Sequence, residues 1–168
     1  MTVTPPEAKP EDSRAPSQSK ERATISLRLL AGALIGGLLL LVAEFTPLYD
    51  QDSAASRIPL HTIHTGSHHA YALIPVALLA ISLTVGAART ASRPALLALG
   101  ALGVVAALVA VLGDLPDATA SGFVTGFIKA KDVPQIGLYL ETLGAALLVV
   151  AGGAGFVLTG AGSAQVAA

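Results

Sequence analysis

The stretch Pro94–Gly113, PALLALGALGVVAALVAVLG, contains no charged side chain. A helix needs roughly 20 mainly apolar residues to cross a hydrocarbon layer about 30 Å thick, and this stretch is long enough. Three further apolar runs reach a similar length, at Leu29–Leu48, Ala70–Ala88 and Ile136–Thr159. The sequence therefore predicts an all-α integral membrane protein with four transmembrane helices in an antiparallel bundle.

The composition agrees with a membrane protein. Hydrophobic residues make up 53% of the chain and charged residues only 12%, whereas a soluble domain carries about 25% charged residues. The formal net charge is -1, so we expect the lipid bilayer and no nucleic acid as a partner. Cysteine is absent, which excludes disulfides, thiolate metal ligands and cysteine nucleophiles.

The chain divides into three segments. Residues 1–24 are rich in Pro, Ser, Glu and Lys, and we expect a disordered cytoplasmic tail because they have little to bury. The membrane domain covers residues 25–162, and residues 163–168 form a short C-terminal tail. Within the membrane domain, the predicted spans lie at about 28–49, 69–89, 94–113 and 135–160.

The positions of Lys and Arg predict the orientation, because basic residues near span ends are retained on the cytoplasmic side. Lys20, Arg22 and Arg28 precede the first span, and Arg89 and Arg93 flank the short connection between the second and third spans. Both termini are therefore predicted to be cytoplasmic, with the loops 50–69 and 114–134 outside. The bias toward Ala, Gly, Leu and Val suggests a bacterium with a GC-rich genome, so the membrane is expected to be the bacterial inner membrane.

Local motifs predict how the spans begin. Asp132 and Gln135 have the spacing of a capping box, with Pro134 in the first turn of the last span. Pro75 lies several residues inside the second span and predicts a kink. The segment Ser121–Lys131, SGFVTGFIKAK, is predicted to form either a short interfacial helix or a re-entrant segment.

Small residues predict close helix packing, since helices in lipid associate by close contact rather than by hydrophobic burial. The residues expected at helix contacts are Gly32, Gly36, Gly100, Gly103 and Gly152. They indicate either a dimerisation face or tight packing inside one bundle. The second interpretation is favoured, because such motifs are frequent in apolar segments.

Two acidic residues interrupt the apolar runs. Glu44 lies near the outer end of the first span, and Glu141 lies at a similar depth in the last one. Carboxylates in hydrocarbon usually face a bundle interior, a partner or a water-filled cavity, and two adjacent carboxylates share a proton or bind a cation. The alternative is that both reach toward the interface or bond to Thr46 or Thr142, with no role beyond helix geometry.

All four histidines lie in the segment HTIHTGSHH, in the first outer loop. Imidazole and carboxylate groups suit zinc or copper. The sequence therefore predicts a divalent metal site drawn from Glu44, His61, His64, His68, His69, Asp114 and Glu141. A solvated loop and a pH sensor are the alternatives, and no other cofactor is expected.

No catalytic motif is present: the chain lacks a Walker loop, a GxSxG elbow and an HExxH sequence. We therefore expect no intrinsic catalysis, and no motif is specific enough to indicate a family. The first functional hypothesis is a structural or accessory protein that associates with itself or with other membrane proteins. The alternative is a small transport or sensing protein whose outward-facing carboxylate and histidine site binds a divalent metal ion or protons.

Overall fold

The computed structural model describes residues 15–53, 61–90, 92–124 and 128–166. The chain is mostly helical, and a π-helical segment, Val109–Asp114, continues the fourth helix. The elements in chain order are α1 (Ala15–Ala43), β1 (Pro47–Ser53), β2 (His61–His64), α2 (Thr65–His68), α3 (Leu73–Thr90), α4 (Arg93–Leu108), α5 (Leu115–Asp117), β3 (Ser121–Val124), β4 (Ile128–Pro134) and α6 (Ile136–Val166).

Three helical stretches of the described chain are long and apolar enough to cross a membrane. They are Leu73–Thr90, Arg93–Asp117 and Ile136–Thr159, whereas the apolar part of α1, Leu27–Ala43, is shorter. Large apolar side chains lie on the outer surface of these helices, and Leu112 is 70% exposed. Apolar surface of this extent is unfavourable in water and suits contact with lipid tails. The predicted membrane character is therefore confirmed at this level.

The four long helices pack side by side. Both α1 and α4 contact α3 and α6. Their shared core is built mainly from small alanines and a few leucines: Ala33, Leu40, Ala77, Ala80, Leu99, Ala106, Ala145, Leu148 and Ala151. Small side chains at these positions let the helix axes approach closely, which strengthens van der Waals contact between them.

Four of the five glycines expected at helix contacts lie against another helix of the same chain: Gly36, Gly100, Gly103 and Gly152. A Cβ atom on Gly36 would lie 2.8 Å from the carbonyl oxygen of Gly144, and one on Gly152 would collide with the backbone of Gly100. Gly32 has open space around its Cα within the described part of the chain. These contacts agree with packing inside one chain.

The two loops predicted to be outside form a four-stranded antiparallel sheet with the order β2-β1-β4-β3. The all-α prediction is therefore wrong for this part of the chain. The segment Ser121–Lys131 is not helical: it supplies β3 and part of β4. The central pairing joins β1 to β4, with Gln51 opposite Asp132. The sheet could not be predicted from local sequence, because a two-stranded hairpin is only marginally stable alone and each hairpin here is stabilised by pairing with the other.

The expected capping box at the start of the last span is also wrong. Asp132 and Pro134 belong to β4, and α6 begins only at Ile136. The backbone N–H of Gln135 donates to the carbonyl oxygen of Leu48 at 2.9 Å. The residue before α6 is therefore hydrogen-bonded to β1.

Proline positions agree only partly with prediction. Pro94, where the third span was predicted to start, lies in the first turn of α4. Pro75 is the third residue of α3, because that helix begins at Leu73 and not at residue 69. A first-turn proline removes no hydrogen bond, so the interior kink expected at Pro75 is not required.

Both predicted tails are partly helical. The helix α1 begins at Ala15, inside the segment predicted to be disordered, and α6 continues to Val166. Residues 1–14 lie outside the described part of the chain. The sequence from Ala15 contains Gln, Lys, Glu, Arg and Ala, which favour helix, and a helix once nucleated extends readily into such residues.

Candidate functional site

Five ionisable side chains meet where the helices join the sheet: Glu44, His68, His69, Asp114 and Glu141, which we call the carboxylate–histidine cluster. Its three carboxyl groups come from the chain after α1, from the π-helical segment and from α6. They are 1%, 0% and 0% exposed, respectively. The structure thus brings together five of the seven residues that the sequence suggested as metal ligands.

Glu44 directly follows α1 and contacts the start of α3. The backbone N–H of Leu73 donates to Oε1 of Glu44 at 2.6 Å. Because the first amides of a helix have no partner inside it, this carboxylate satisfies one of them and interacts favourably with the helix dipole. The other oxygen, Oε2, is buried and accepts no hydrogen bond from the described residues.

Asp114 is the last residue of the π-helical segment. Such segments insert extra backbone into a helix and occur frequently at functional sites. Here the helix surface around it remains apolar and exposed at Leu112 and Leu115, while Asp114 itself is fully buried. The π-helical segment thus ends at Asp114, the acidic residue of this helix that belongs to the cluster.

Both histidines of the cluster lie in the short segment between β2 and α3. His68 ends α2, and the two residues after His69 adopt left-handed backbone conformations, with φ angles of 50° at Ala70 and 60° at Tyr71. Such conformations cost of order 1–3 kcal/mol each in residues other than glycine. The turn nevertheless directs both imidazoles toward Asp114.

Gly66, at the start of the same segment, must be glycine. Its backbone N–H donates to the carbonyl oxygen of Glu44 at 2.9 Å. A Cβ atom at this position would lie 2.5 Å from that oxygen, far inside van der Waals contact. The absence of a side chain therefore permits the histidine segment to lie directly against the end of α1.

The two imidazoles lie on either side of the Asp114 carboxylate. The Nε2 atom of His69 is 3.0 Å from Oδ2 of Asp114 and donates to it, while Nε2 of His68 is 3.5 Å from Oδ1. Each of these three residues offers one possible metal-ligand atom, and the three atoms lie within 4.8 Å of one another. Ligand atoms of a tetrahedral zinc ion lie about 2.0–2.2 Å from the metal and therefore about 3.3–3.6 Å from each other, so binding zinc would require these side chains to move slightly closer together.

Glu141 completes the cluster on its α6 side. Among the described residues, no N–H or hydroxyl group donates to either of its buried carboxyl oxygens. Its carboxyl group lies within hydrogen-bonding reach of the Asp114 carboxyl group, so the two acids can share a proton, and it also interacts electrostatically with Glu44. No lysine or arginine of the described chain forms an ion pair with the cluster. Three buried acids thus face one partly buried and one more exposed imidazole, so protons or a cation must balance their charge.

Two further residues contact the cluster and were missed as site residues from the sequence. Oδ2 of Asp117 lies 3.4 Å from Nε2 of His68, and its side chain is 55% exposed. The ring of Tyr49 meets that of His68 edge-on, with centroids 6.1 Å apart. The spacing of Asp114 and Asp117 on one helical turn is a signal for the first contact, whereas nothing in the sequence indicates the second.

The acidic surroundings shift the pKa values of groups around the cluster. The pKa of His69 is raised by the hydrogen bond of its imidazole to Asp114. This effect outweighs that of burial, which lowers the pKa. Burial raises the pKa of the Tyr49 hydroxyl, and the nearby acids Asp132, Asp117 and Asp114 raise it further. Burial also raises the pKa of Asp132, although a hydrogen bond with Gln51 opposes this change.

The other two predicted ligands, His61 and His64, are not brought to the cluster. They are exposed residues at opposite ends of β2. Side chains alternate between the two faces of a strand, so residues three apart point to opposite sides. The two histidines therefore do not form a chelating pair within this strand.

No family model, no curated protein and no solved structure matches this chain.

Proposed function

We propose that this chain is a four-span protein of the bacterial inner membrane that binds a divalent transition-metal ion, with zinc as the best candidate, at the carboxylate–histidine cluster. It acts as a metal-sensing or accessory membrane protein and carries out no catalysis of its own. The site faces the outside of the cell.

The helix arrangement supports this topology. The apolar part of α1, Leu27–Ala43, packs along α3 and α6, and its length is near the lower limit for a span. Arg89 and Arg93 lie at the ends of α3 and α4 opposite the sheet, and Arg28 lies at the start of the apolar part of α1. Because basic residues are retained in the cytoplasm, this end is inside, and the sheet and the cluster are outside.

The observation that carries the proposal is the set of buried carboxyl oxygens without donors. An unpaired buried charge costs several kcal/mol. A divalent ion would take the place of the proton between His69 and Asp114, and it would give Oδ1 of Asp114 a closer partner than Nε2 of His68, which lies 3.5 Å away. Imidazole nitrogen together with carboxylate oxygen is a ligand set that suits zinc.

Glu44 and Glu141 lie next to these three ligands and stabilise a positive ion at close range. Outer groups of this kind commonly change metal affinity by 10–100-fold. We therefore assign His68, His69 and Asp114 to the metal and the two glutamates to its electrostatic support.

The composition of the helices beyond the cluster favours ion binding over ion transport. Between the cluster and the arginine end, α3, α4 and α6 contain no ionisable side chain. The hydroxyl groups along them donate to carbonyl oxygens of their own helices: those of Ser82, Thr84, Thr142 and Thr159. The side chains described in these helices offer no relay for an ion or proton, so we propose that the ion remains at the outer end.

A bound ion would join two parts of the fold directly and would attract a third electrostatically. The histidines belong to the segment after β2, Asp114 belongs to the π-helical segment, and Glu141 belongs to α6. Occupancy therefore controls how firmly the sheet is attached to the helices. This link is the basis for a sensing or accessory role, since the sheet is the part presented to outside partners.

The test is zinc binding measured by calorimetry on the full chain in detergent micelles. The wild type is expected to bind one ion, and a His68→Asn, His69→Asn variant to bind at least about 100-fold more weakly, more than the loss of an outer group causes. His61→Asn, His64→Asn is the matched control, because it removes two nearby histidines outside the cluster. Absence of zinc binding by the wild type, or an equal loss in the control, would refute the proposed site.

A further inference from the structure

A groove opens on the lipid-facing side of the helices, between α4 and α6. It has a volume of about 300 Å³ and is apolar throughout. Its walls include Leu97, Gly100, Val104, Val149, Gly153 and Phe156. It lies in the membrane-spanning part of the chain, away from the carboxylate–histidine cluster.

The groove exists because glycines replace side chains where these two helices are closest. Gly152 touches the backbone of Gly100, which brings α4 and α6 together, while Gly153 has nothing within 4 Å of the position of a Cβ atom. Within hydrocarbon, a hollow of this kind lacks the dispersion contacts of a packed surface. Its volume and apolar walls suit part of one acyl chain.

A positively charged side chain, that of Arg93, lies at one end of this groove. The guanidinium carbon of Arg93 is 4.8 Å from the centre of the Phe156 ring, and Phe156 is part of the groove wall. Arg93 is exposed, and in the described chain neither it nor the nearby Arg89 forms an ion pair with a carboxylate. The stacked guanidinium keeps N–H donors free for an oxyanion, and phosphate is the group that this fork binds in a bidentate manner.

We infer that the groove and Arg93 together form a binding site for an anionic phospholipid. One acyl chain occupies the groove, and the phosphate of the head group binds Arg93, with Arg89 adding positive charge. A second copy of this chain fits less well, because it would bring the same pair of arginines to the same membrane surface. Basic pockets between transmembrane helices bind anionic head groups by the same electrostatics. The inference requires α4 and α6 to lie in a membrane, and it is independent of the metal site.

Native mass spectrometry of the detergent-purified chain tests this site, with phosphatidylglycerol and phosphatidylcholine as the two probes. The wild type should retain phosphatidylglycerol preferentially. Arg93→Gln should reduce that retention about fivefold, the effect of one basic side chain near anionic lipid. Arg28→Gln is the matched control, because it removes the same charge from α1 at the same end; it should reduce retention less than Arg93→Gln does, and an equal loss would show only general attraction to the surface and would overturn the site.

A second variant tests the groove itself. Gly153→Leu places a side chain into open space, so the fold should tolerate it, and we expect it to lower the retention of phosphatidylglycerol while Arg93 remains. Inorganic phosphate at the same concentration should not displace the lipid. Equal retention of both lipids, displacement by phosphate, or dimers that form without lipid and are lost in Gly153→Leu would each overturn the inference.

Discussion

Replacing Glu141 with methionine should stabilise the metal-free protein and weaken its response to zinc. The glutamate is fully buried, and none of the described N–H or hydroxyl groups donates to its carboxyl oxygens. Methionine has a similar length and no hydrogen-bonding requirement. The substitution removes an acid from the vicinity of Asp114 and Glu44 without leaving a large cavity.

The magnitudes follow from burial and from linkage. Replacing buried ionic groups by apolar residues of similar volume is often stabilising, here by about 1–3 kcal/mol, which corresponds to about 2–4 °C in Tm for each kcal/mol in a chain of this size. Zinc at about 100 times its Kd stabilises the wild type by about 2.7 kcal/mol. If the variant binds 10–100-fold more weakly, the same zinc concentration stabilises it by only about 0.4–1.4 kcal/mol.

Thermal unfolding in detergent, with chelator and then with zinc, measures both effects in one sample. Glu44→Met is the matched control, because the same chemical change at that position removes the acceptor of the Leu73 amide. A buried amide without a partner costs about 1–3 kcal/mol, so this control should lower the Tm of the metal-free protein. The two glutamates should therefore respond in opposite directions.

The reasoning fails if Glu141→Met lowers the Tm in chelator as Glu44→Met does. That result would mean that Glu141 stabilises the metal-free protein and needs no cation. An unchanged zinc response in Glu141→Met would separately show that this carboxyl group lies outside the influence of the ion.

Three further predictions concern pH, packing and the sheet. In chelator, the Tm advantage of the wild type over His69→Gln should be complete below pH 6.5 and should disappear as the pH rises through the folded-state pKa of His69, because the hydrogen bond to Asp114 raises that pKa; an advantage that grows with pH would contradict it. Gly152→Val should destabilise the fold by at least about 1–3 kcal/mol through overpacking against Gly100, while Gly32→Val, in open space, should have a small effect on unfolding by heat. A Gln51→Cys, Asp132→Cys variant should form a disulfide visible on a non-reducing gel, because these residues are directly paired across β1 and β4; Thr62→Cys with Asp132→Cys should not, since β1 separates the two strands.

The helices were predictable because membrane insertion leaves a strong local signal. Runs such as Pro94–Gly113 are apolar over the whole thickness of a bilayer. The sheet was not predictable in this way, since the pairing of Gln51 with Asp132 joins two distant loops. Neither loop shows a long alternating pattern, and the polar residues of β1 resemble an ordinary solvated connection.

The cluster was partly predictable for a related reason. Glu44 and Glu141 stand out because acids are rare in apolar runs, and the histidines stand out by their density. The sequence does not show that His68 and His69 turn toward Asp114 while His61 and His64 remain in a strand. That distinction depends on the left-handed backbone at Ala70 and Tyr71, and neither residue type indicates it.

The pairing of β1 with β4 also has a consequence for biosynthesis. It joins the strand that follows α1 to the strand that precedes α6, and these two helices contact each other as well. Contacts between segments so far apart in the chain form late, because closing the long loop costs entropy before the new contacts contribute any stabilisation. A ribosome must therefore deliver β4 before the first hairpin can pair with it, and α6 follows only after β4. Until α6 is made, Glu44 lacks its neighbour Glu141, and a partially synthesised chain does not contain the complete carboxylate–histidine cluster.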